Sequence, residues 1–287
     1  MEMVQSKVRI FAGVPALVIA AVLSASCTRC FTWEKHVVDG HRTGVTAPNA
    51  INVPEALGTV DGDVYLSPSG NVFEGGATAA VARDMIDVQD VMADLKMPVA
   101  VASRDMIKHR PESELSNYIV DELAAAAEEL TGKKIDLAIT NFGGIRVDIP
   151  KGEVLRDDIV SMLPFRNYIC YVLLKGEDLQ AVFDFLAENG VQALSRARLV
   201  VKNHKVDELL IGGEPLDPQK LYGVATVDFL LDGGDGLKIA KNARDLIITD
   251  KLIGEAVLES VRKLTAEGKP FEYHTDGRVT VINEEEQ

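Results

Sequence analysis

The stretch that decides the fold covers residues 135–146 and consists of Ile135-Asp-Leu-Ala-Ile-Thr140 followed by Asn141-Phe-Gly-Gly-Ile-Arg146. Its first half is a short apolar run of the kind that forms a buried strand. The adjacent glycines allow backbone amides to approach a ligand, and Arg146 offers a planar, charged fork for a carboxylate or phosphate. A Gly-Gly pair after a strand is also a common plain turn, so this stretch alone leaves a turn and a binding loop open.

The residues on both sides of this stretch predict alternating helices and strands. Apolar residues recur every three or four positions in 112–130, which predicts a helix, and Gly132 is a stop signal. Further on, the pattern predicts helices at 157–162, 178–189 and 252–264, strands at 168–174, 221–227 and 278–282, and a hairpin at 198–211. Because helices and hairpins are interleaved, the sequence predicts an α+β fold with a mixed β-sheet flanked by helices.

The segment before residue 97 has a different pattern. Residues 28 to about 60 carry scattered Gly, Pro, Asn and Thr without a sustained period, which indicates a loop-rich leader. Two short β-prone runs at 63–66 and 71–73 flank a turn-type cluster, Ser67-Pro-Ser-Gly70, and predict a hairpin. From Thr78 to Lys96 the spacing of apolar residues predicts an amphipathic helix.

The N-terminus has the features of an export signal. Lys7 and Arg9 precede an apolar run at 10–23, which is shorter than the about 20 residues a membrane span needs. Ser24-Ala-Ser26 then precedes Cys27, which resembles a bacterial lipobox and predicts a lipidated cysteine; simple signal cleavage and a retained anchor helix are the alternatives. The predicted division is therefore a signal peptide at 1–26, a leader with hairpin and linker helix at 27–96, and one main domain at 97–287, exported to the periplasm and anchored to the membrane by lipid.

Composition limits the classes of partner. The chain has 287 residues, 47% of them hydrophobic, which suffices for an ordinary core. Its formal net charge of −14 repels phosphate backbones, so a nucleic-acid partner is not expected, whereas a few arginines in one pocket can still bind a small anion. Cys170 lies in an apolar run and is expected to be a buried core thiol.

Other loop residues could bind a flat or polar ligand. Gly233-Gly-Asp-Gly236 places an acceptor among glycines, where it could bind hydroxyl groups or simply close a tight loop. Phe165 and Phe229 each stand at the exit of a predicted element, where an aromatic ring could stack on a ligand or cover the edge of the core. The residues alone leave both readings open.

These segments together resemble one family, the 5′-nucleotidase / UDP-sugar hydrolase family, and within it the C-terminal, substrate-binding domain. The resemblance extends from residue 97 to about 281 and rests on motifs in the family's order and spacing: Glu112-Ser-Glu-Leu-Ser-Asn117, Asn141-Phe-Gly-Gly-Ile-Arg146, Met162-Leu-Pro-Phe-Arg-Asn167, Pro215-Leu-Asp-Pro218, Val224-Ala-Thr-Val-Asp-Phe-Leu230 and Gly233-Gly-Asp-Gly236. It implies a domain that holds a nucleotide or nucleoside.

The resemblance also implies a role for each matching residue. Phe165 and Phe229 would sandwich the base, and polar contacts would come from Asn141, Arg146, Asn167 and Asp235. The sequence departs from the family where Phe142 and Arg166 replace glycines, and these side chains could fill the pocket. An arginine upstream of the first helix helps to hold the ligand in the family, and Arg110 stands near that place.

The family's chemistry resides in an N-terminal domain that holds two divalent metals, and the metal motifs are not found in this sequence. Of the five histidines, His41 and His204 come nearest to them, in Asp39-Gly-His41 and Asn203-His204, but neither has the expected setting. We therefore expect no catalytic residue, metal or other cofactor in this chain, and a separately encoded metallophosphatase as the partner in a split 5′-nucleotidase. The alternatives are a degenerate interaction protein of the same fold, favoured by Phe142 and Arg166, and hydrolysis by this chain alone.

Overall fold

The computed structural model describes residues 42–48 and 51–283, and its first part is a small unit of two helices and three strands. Helix α1 (Val53–Leu57) precedes the antiparallel sheet of β1 (Thr59–Asp61), β2 (Val64–Leu66) and β3 (Val72–Glu74), and helix α2 (Gly76–Asp87) packs on it. The predicted hairpin is present as β2 and β3. The expectation of loops up to residue 60 is wrong for 53–61, because Ala56 and Leu57 are buried by the helical turn.

Helix α2 is shorter than the sequence predicts. It ends at Asp87, and residues 88–96 form turns in place of the helix expected up to Lys96. Of the apolar side chains that extended the pattern beyond Asp87, Val88 is 44% exposed and Met92 is partly buried. Periodicity predicts a helix only where another surface covers the apolar face, and in the described chain this face is only partly covered after Asp87.

The main part of the chain is built on a five-stranded mixed sheet. Its strands are β5 (Leu137–Thr140), β7 (Tyr168–Lys175), β8 (Ala193–Ser195), β12 (Leu221–Val227) and β13 (Asp245–Leu252), in the order β13-β7-β12-β5-β8. Strand β12 is parallel to β5, and the other neighbours are antiparallel. The predicted α+β class with a mixed sheet flanked by helices is confirmed.

Four helices flank the sheets of this part. They are α3 (Glu114–Thr131), α4 (Arg156–Met162), α5 (Gly176–Asn189) and α6 (Ile253–Ala266). Helix α3 starts where the Ser113 side chain accepts a hydrogen bond from the Ser116 amide, and it stops at Gly132, whose φ of 63° closes a left-handed cap. It packs across β5, β7, β8 and β12 and against α6. The end at Thr131 agrees with the stop signal predicted at Gly132.

Two smaller sheets complete the main part. One has the order β11-β10-β9-β14, formed by β9 (Ala197–Lys202), β10 (Lys205–Ile211), β11 (Glu214–Pro215) and β14 (Val279–Ile282), and the other pairs β4 (Pro98–Ala102) with β6 (Gly152–Leu155). One continuous hydrophobic core links these elements, and it includes Cys170, whose predicted burial is confirmed. No helix within residues 42–48 and 51–283 is long and apolar enough to cross a membrane. The predicted signal peptide and Cys27 lie outside the described residues.

Candidate functional site

Three strand ends meet at one edge of the five-stranded sheet. Strands β5 and β12 run parallel, with Leu137 opposite Val224, so both end at this edge. Strand β7 runs antiparallel to β12, with Ile169 opposite Val227, so β7 begins there. The loops after β5 and β12 and the loop before β7 therefore leave the sheet side by side. These loops carry all six predicted binding residues.

Asn141 and Asp235 meet at this edge although they are 94 positions apart. The Asn141 side chain is buried, and its Nδ2 donates a hydrogen bond of 2.9 Å to Asp235 Oδ2. Its Oδ1 is also buried and accepts no hydrogen bond within the described part of the chain. Asp235 is exposed and has a φ of 49°, a left-handed conformation that Asp tolerates better than most residues. The pair thus offers a carboxylate on the surface and a buried amide oxygen with unused acceptor capacity.

Two glycines of the loop after β5, Gly143 and Gly144, pack closely against the side-chain amide of Asn141. A Cβ atom at Gly144 would lie 3.0 Å from Asn141 Oδ1, and one at Gly143 would lie 3.3 Å from Asn141 Nδ2. Any larger residue at either place would push the buried amide aside. The Gly-Gly pair therefore has a packing role beyond that of a plain turn.

Phe165 and Phe229 are the exposed aromatic residues of the three loops. Their exposed fractions are 48% and 45%, which leaves a ring face of each accessible to a ligand. Gly234 packs closely against Phe229: a Cβ atom at Gly234 would lie 2.0 Å from the Phe229 carbonyl oxygen and 2.7 Å from ring carbon Cδ1. Arg146 is exposed beside Phe165, with its guanidinium carbon 5.9 Å from the ring centroid.

Asn167 completes the set of predicted residues. It is half-buried and lines a narrow crevice together with Asn141, Gly144 and Phe165. The volume of this crevice is about 10 Å³, room for about one water molecule. The structure therefore brings Asn167 together with Asn141 and Phe165, and a ligand larger than water would have to lie over the crevice, against the exposed rings.

Phe142 does not fill the site. Its side chain is 4% exposed, belongs to the core and does not line the crevice, and its amide donates a 2.9 Å hydrogen bond to Gln192 Oε1. The Arg110 guanidinium carbon lies 4.7 Å from the Phe142 ring centroid, a cation–π contact. Arg166, the other departure from the family pattern, is exposed. The side chain of Phe142, which could have filled the pocket, instead packs into the core under Arg110.

Arg110 is held next to the same loops. Its guanidinium donates to the Val191 carbonyl oxygen and, at 3.5 Å, to Gln192 Oε1. Burial lowers the pKa of Arg110, and the nearby Asp235 carboxylate opposes that shift. Gln192 was not predicted from sequence; its link to the site appears only in the fold, since β8 places it beside the end of β5.

A second residue that sequence reasoning missed is Asp228. Its Oδ1 accepts hydrogen bonds from the amides of Tyr168, at 3.1 Å, and Phe229, at 2.9 Å. In the sequence, the only indication that Asp228 belongs to the site was its position next to Phe229.

The histidine pairs considered as metal motifs do not form a site in the described chain. Asn203 and His204 form the tight turn of the β9–β10 hairpin, with φ values of 48° and 62°. Asp39-Gly-His41 lies outside the described residues. Within residues 42–48 and 51–283, no group of three or more His, Cys, Asp or Glu side chains could hold a metal ion.

Comparison with known families gives one match that covers more than half of the chain. Residues 91–242 match the family described as 5′-nucleotidase, C-terminal domain. The chain belongs to this family. The matched range contains β5, β7, β12 and the three loops that leave their shared edge, so the segments that match the family are also the segments that build the candidate site.

Several relatives share this part of the chain. Protein UshA of Escherichia coli is 30% identical over 146 residues, which are 49% of this chain and 26% of UshA. The trifunctional nucleotide phosphoesterase protein YfkN of Bacillus subtilis is 30% identical over 190 residues, 60% of this chain and 12% of YfkN. The chain thus spans about a quarter or less of these relatives.

The solved structures agree on the fold. The 5′-nucleotidase precursor of Thermus thermophilus superimposes with a TM-score of 0.64 at 25% identity, over 77% of this chain and 49% of that one. The NAD nucleotidase of Haemophilus influenzae superimposes with a TM-score of 0.55 at 18% identity, over 77% of this chain and 48% of that one, which supports the fold alone.

Proposed function

We propose that this chain is the nucleotide- or nucleoside-recognition domain of a split 5′-nucleotidase. The observation that carries the proposal is the convergence of Phe165, Phe229 and the Asn141–Asp235 pair on one sheet edge, in a chain of the 5′-nucleotidase C-terminal family. In this proposal the base stacks on Phe165 and Phe229. Stacking on aromatic side chains contributes about 1–3 kcal/mol per base and tolerates different bases.

The polar residues would orient the rest of the ligand. The Asp235 carboxylate is exposed and can accept hydrogen bonds from two neighbouring ribose hydroxyls. Asn167 lies at the crevice below Phe165, within reach of a base edge. Arg146 supplies positive charge beside Phe165 and Arg110 supplies it near Asp235, and both suit an anionic group on the ligand. This arrangement combines a tolerant stacking surface with a few fixed polar groups.

In the same proposal, a separately encoded metallophosphatase supplies two divalent metals and activates water for attack on phosphorus. This chain then contributes recognition and no catalytic residue. Its residues 1–26 act as a signal peptide, Cys27 carries the lipid anchor, 27–96 form the leader, and 97–287 form the binding domain in the periplasm. The support is the lipobox-like segment together with the family match, which falls within residues 91–242.

Calorimetric titration with AMP, UMP, adenosine and UDP-glucose tests the pocket. We expect binding by the wild-type chain and a loss of about tenfold in affinity for Phe165→Ala and for Phe229→Ala, since each removes one stacking face. Leu221→Ala is a matched control, because Leu221 is as exposed as Phe165, at 48%, and lies at the far end of β12. Binding that is indifferent to both phenylalanine substitutions would refute the pocket.

One observation favours the second candidate, an interaction protein of the same fold that binds no nucleotide. The crevice has room for about one water molecule, and Asn141 and Asp235 already satisfy each other in part. Failure to bind any of the four ligands would select this candidate. Metal-dependent phosphate release by the purified chain would contradict both candidate functions, and we expect no such release.

A further inference from the structure

Strands β7 and β12, whose ends adjoin the two exposed phenylalanines, separate at Asp228. The ladder of backbone hydrogen bonds between β12 and β7 ends with Val227 opposite Ile169. Beyond this pair, the chain after β12 turns into a short 3-10 helix at Asp228–Leu230, while the other chain leads back from Tyr168 towards Phe165. The segments that carry Phe165 and Phe229 therefore diverge where the two chains part.

One carboxylate oxygen of Asp228 binds both chains at this point. Asp228 Oδ1 accepts from the Tyr168 amide at 3.1 Å and from the Phe229 amide at 2.9 Å. In a continuing ladder the Tyr168 amide would donate to a backbone carbonyl, but the turn after Val227 removes that acceptor. The Asp228 side chain replaces it, so the strands can diverge without leaving a backbone donor unpaired.

The two phenylalanines are close in the chain to the two amides that Asp228 holds. Phe229 contains one of them, and Phe165 lies three residues before Tyr168. The intervening loop is also tied through Asn167, whose carbonyl oxygen accepts from the Ile253 amide at 3.0 Å. Fixing both amides on one oxygen therefore fixes the separation of the two ring-bearing segments.

We infer that Asp228 is a positioning residue that sets the gap between Phe165 and Phe229, so that a planar base fits between them. This inference rests on the proposed function. The required acceptor is a side-chain oxygen at this place, and its negative charge strengthens the two hydrogen bonds without being essential to their geometry.

Calorimetry with adenosine on the full chain compares wild type, Asp228→Ala and Asp228→Asn. Removing the acceptor in Asp228→Ala should weaken binding about tenfold, because both amides lose a charged partner and the rings lose their fixed separation. Asp228→Asn keeps an Oδ1 acceptor and should stay within about threefold of wild type. Asp232→Ala is the matched control: it removes the same charge from the same loop, at an exposed position, and should bind like wild type.

A double-variant cycle separates positioning from general damage. If Asp228 acts by placing the rings, Asp228→Ala should weaken binding little further in a chain that already carries Phe165→Ala and Phe229→Ala. Amide hydrogen exchange of the wild-type chain, followed by two-dimensional NMR, gives a second readout: the Tyr168 and Phe229 amides should both be protected, since each donates to Asp228 Oδ1. This measurement keeps the inference testable should Asp228→Ala fail to fold.

Each outcome of these experiments supports or overturns the positioning role of Asp228. Adenosine binding by wild type with unchanged affinity in Asp228→Ala overturns the inference and leaves the proposed function intact. An undiminished tenfold loss in the chain without the two rings also overturns it, as do Tyr168 and Phe229 amides that exchange without protection. A wild-type chain that binds none of the four ligands overturns the proposed function, and the positioning role with it.

Discussion

Replacing Asn141 by Asp should make the stability of this protein strongly dependent on pH. The two side chains have the same shape, so the change places a carboxylate oxygen where Nδ2 now donates at 2.9 Å to Asp235. The new carboxyl is buried, since the residue at this position is 4% exposed, and it faces a like charge. Burial and a neighbouring negative charge both raise the pKa of a carboxyl, so the introduced side chain should ionise at a higher pH in the folded chain than in the unfolded chain.

The size of the effect follows from the difference between the folded and unfolded states. An unfolded Asp ionises with a pKa of about 3.9, and each unit by which the folded pKa exceeds this value costs about 1.4 kcal/mol once the pH is above both. A shift of about 2 to 3 units therefore predicts a loss of about 3–4 kcal/mol at pH 7. Below pH of about 4 both states are protonated, and the variant should recover most of the stability lost relative to wild type.

Urea denaturation at pH 4, 5.5 and 7 checks this prediction, with the free energy of unfolding compared between the variant and wild type at each pH. Asn167→Asp is the matched control at the same site, because Asn167 is half-buried and hydrogen-bonds to no carboxylate in the described chain; its cost should stay below about 1 kcal/mol. A loss in Asn141→Asp that is the same at all three pH values, or no loss at pH 7, would refute the assignment of Asn141 as a buried donor to Asp235.

Two further predictions concern other contacts. Arg278→Ala should lower the free energy of unfolding by about 3 kcal/mol, because the guanidinium donates to Asp121 at 2.7 and 3.0 Å and its removal leaves that carboxylate without a positive partner, although the Tyr273 hydroxyl still donates to it at 2.7 Å. Arg278 also lowers the pKa of Asp276, so the stabilisation from the Arg278–Asp276 pair is present above the unfolded pKa of about 3.8 and is lost as the pH falls through the folded value; denaturation of wild type and variant between pH 2 and 6 should show the difference becoming smaller in acid. Gly234→Ala should weaken adenosine binding at least as much as Phe229→Ala, since the added methyl group displaces Phe229; an unchanged affinity by calorimetry would contradict the close contact.

The local sequence determined most of the regular elements. Ser113 and Gly132 set the ends of α3, and Gly190 follows the last residue of α5, because capping depends on neighbours within a few positions. Sequence patterns failed where burial depends on distant partners. The helix expected up to Lys96 stops at Asp87, and β4, β6, β8 and β13 were not predicted, since their apolar residues are too few or too interrupted to show a period before their partner strands are known.

The sequence alone thus predicted the fold class and proposed six binding residues, which the structure brings to one edge of the sheet, through motifs whose order is visible along the chain. Only the tertiary structure decided that Asn141 donates to Asp235, that Phe142 turns into the core beneath Arg110, and that Asp228 binds the amides of both ring-bearing segments. The physical reason is the register of β5, β7 and β12. A shift of one residue in any of these pairings would turn every side chain to the other face of the sheet, and that register depends on contacts across the whole core.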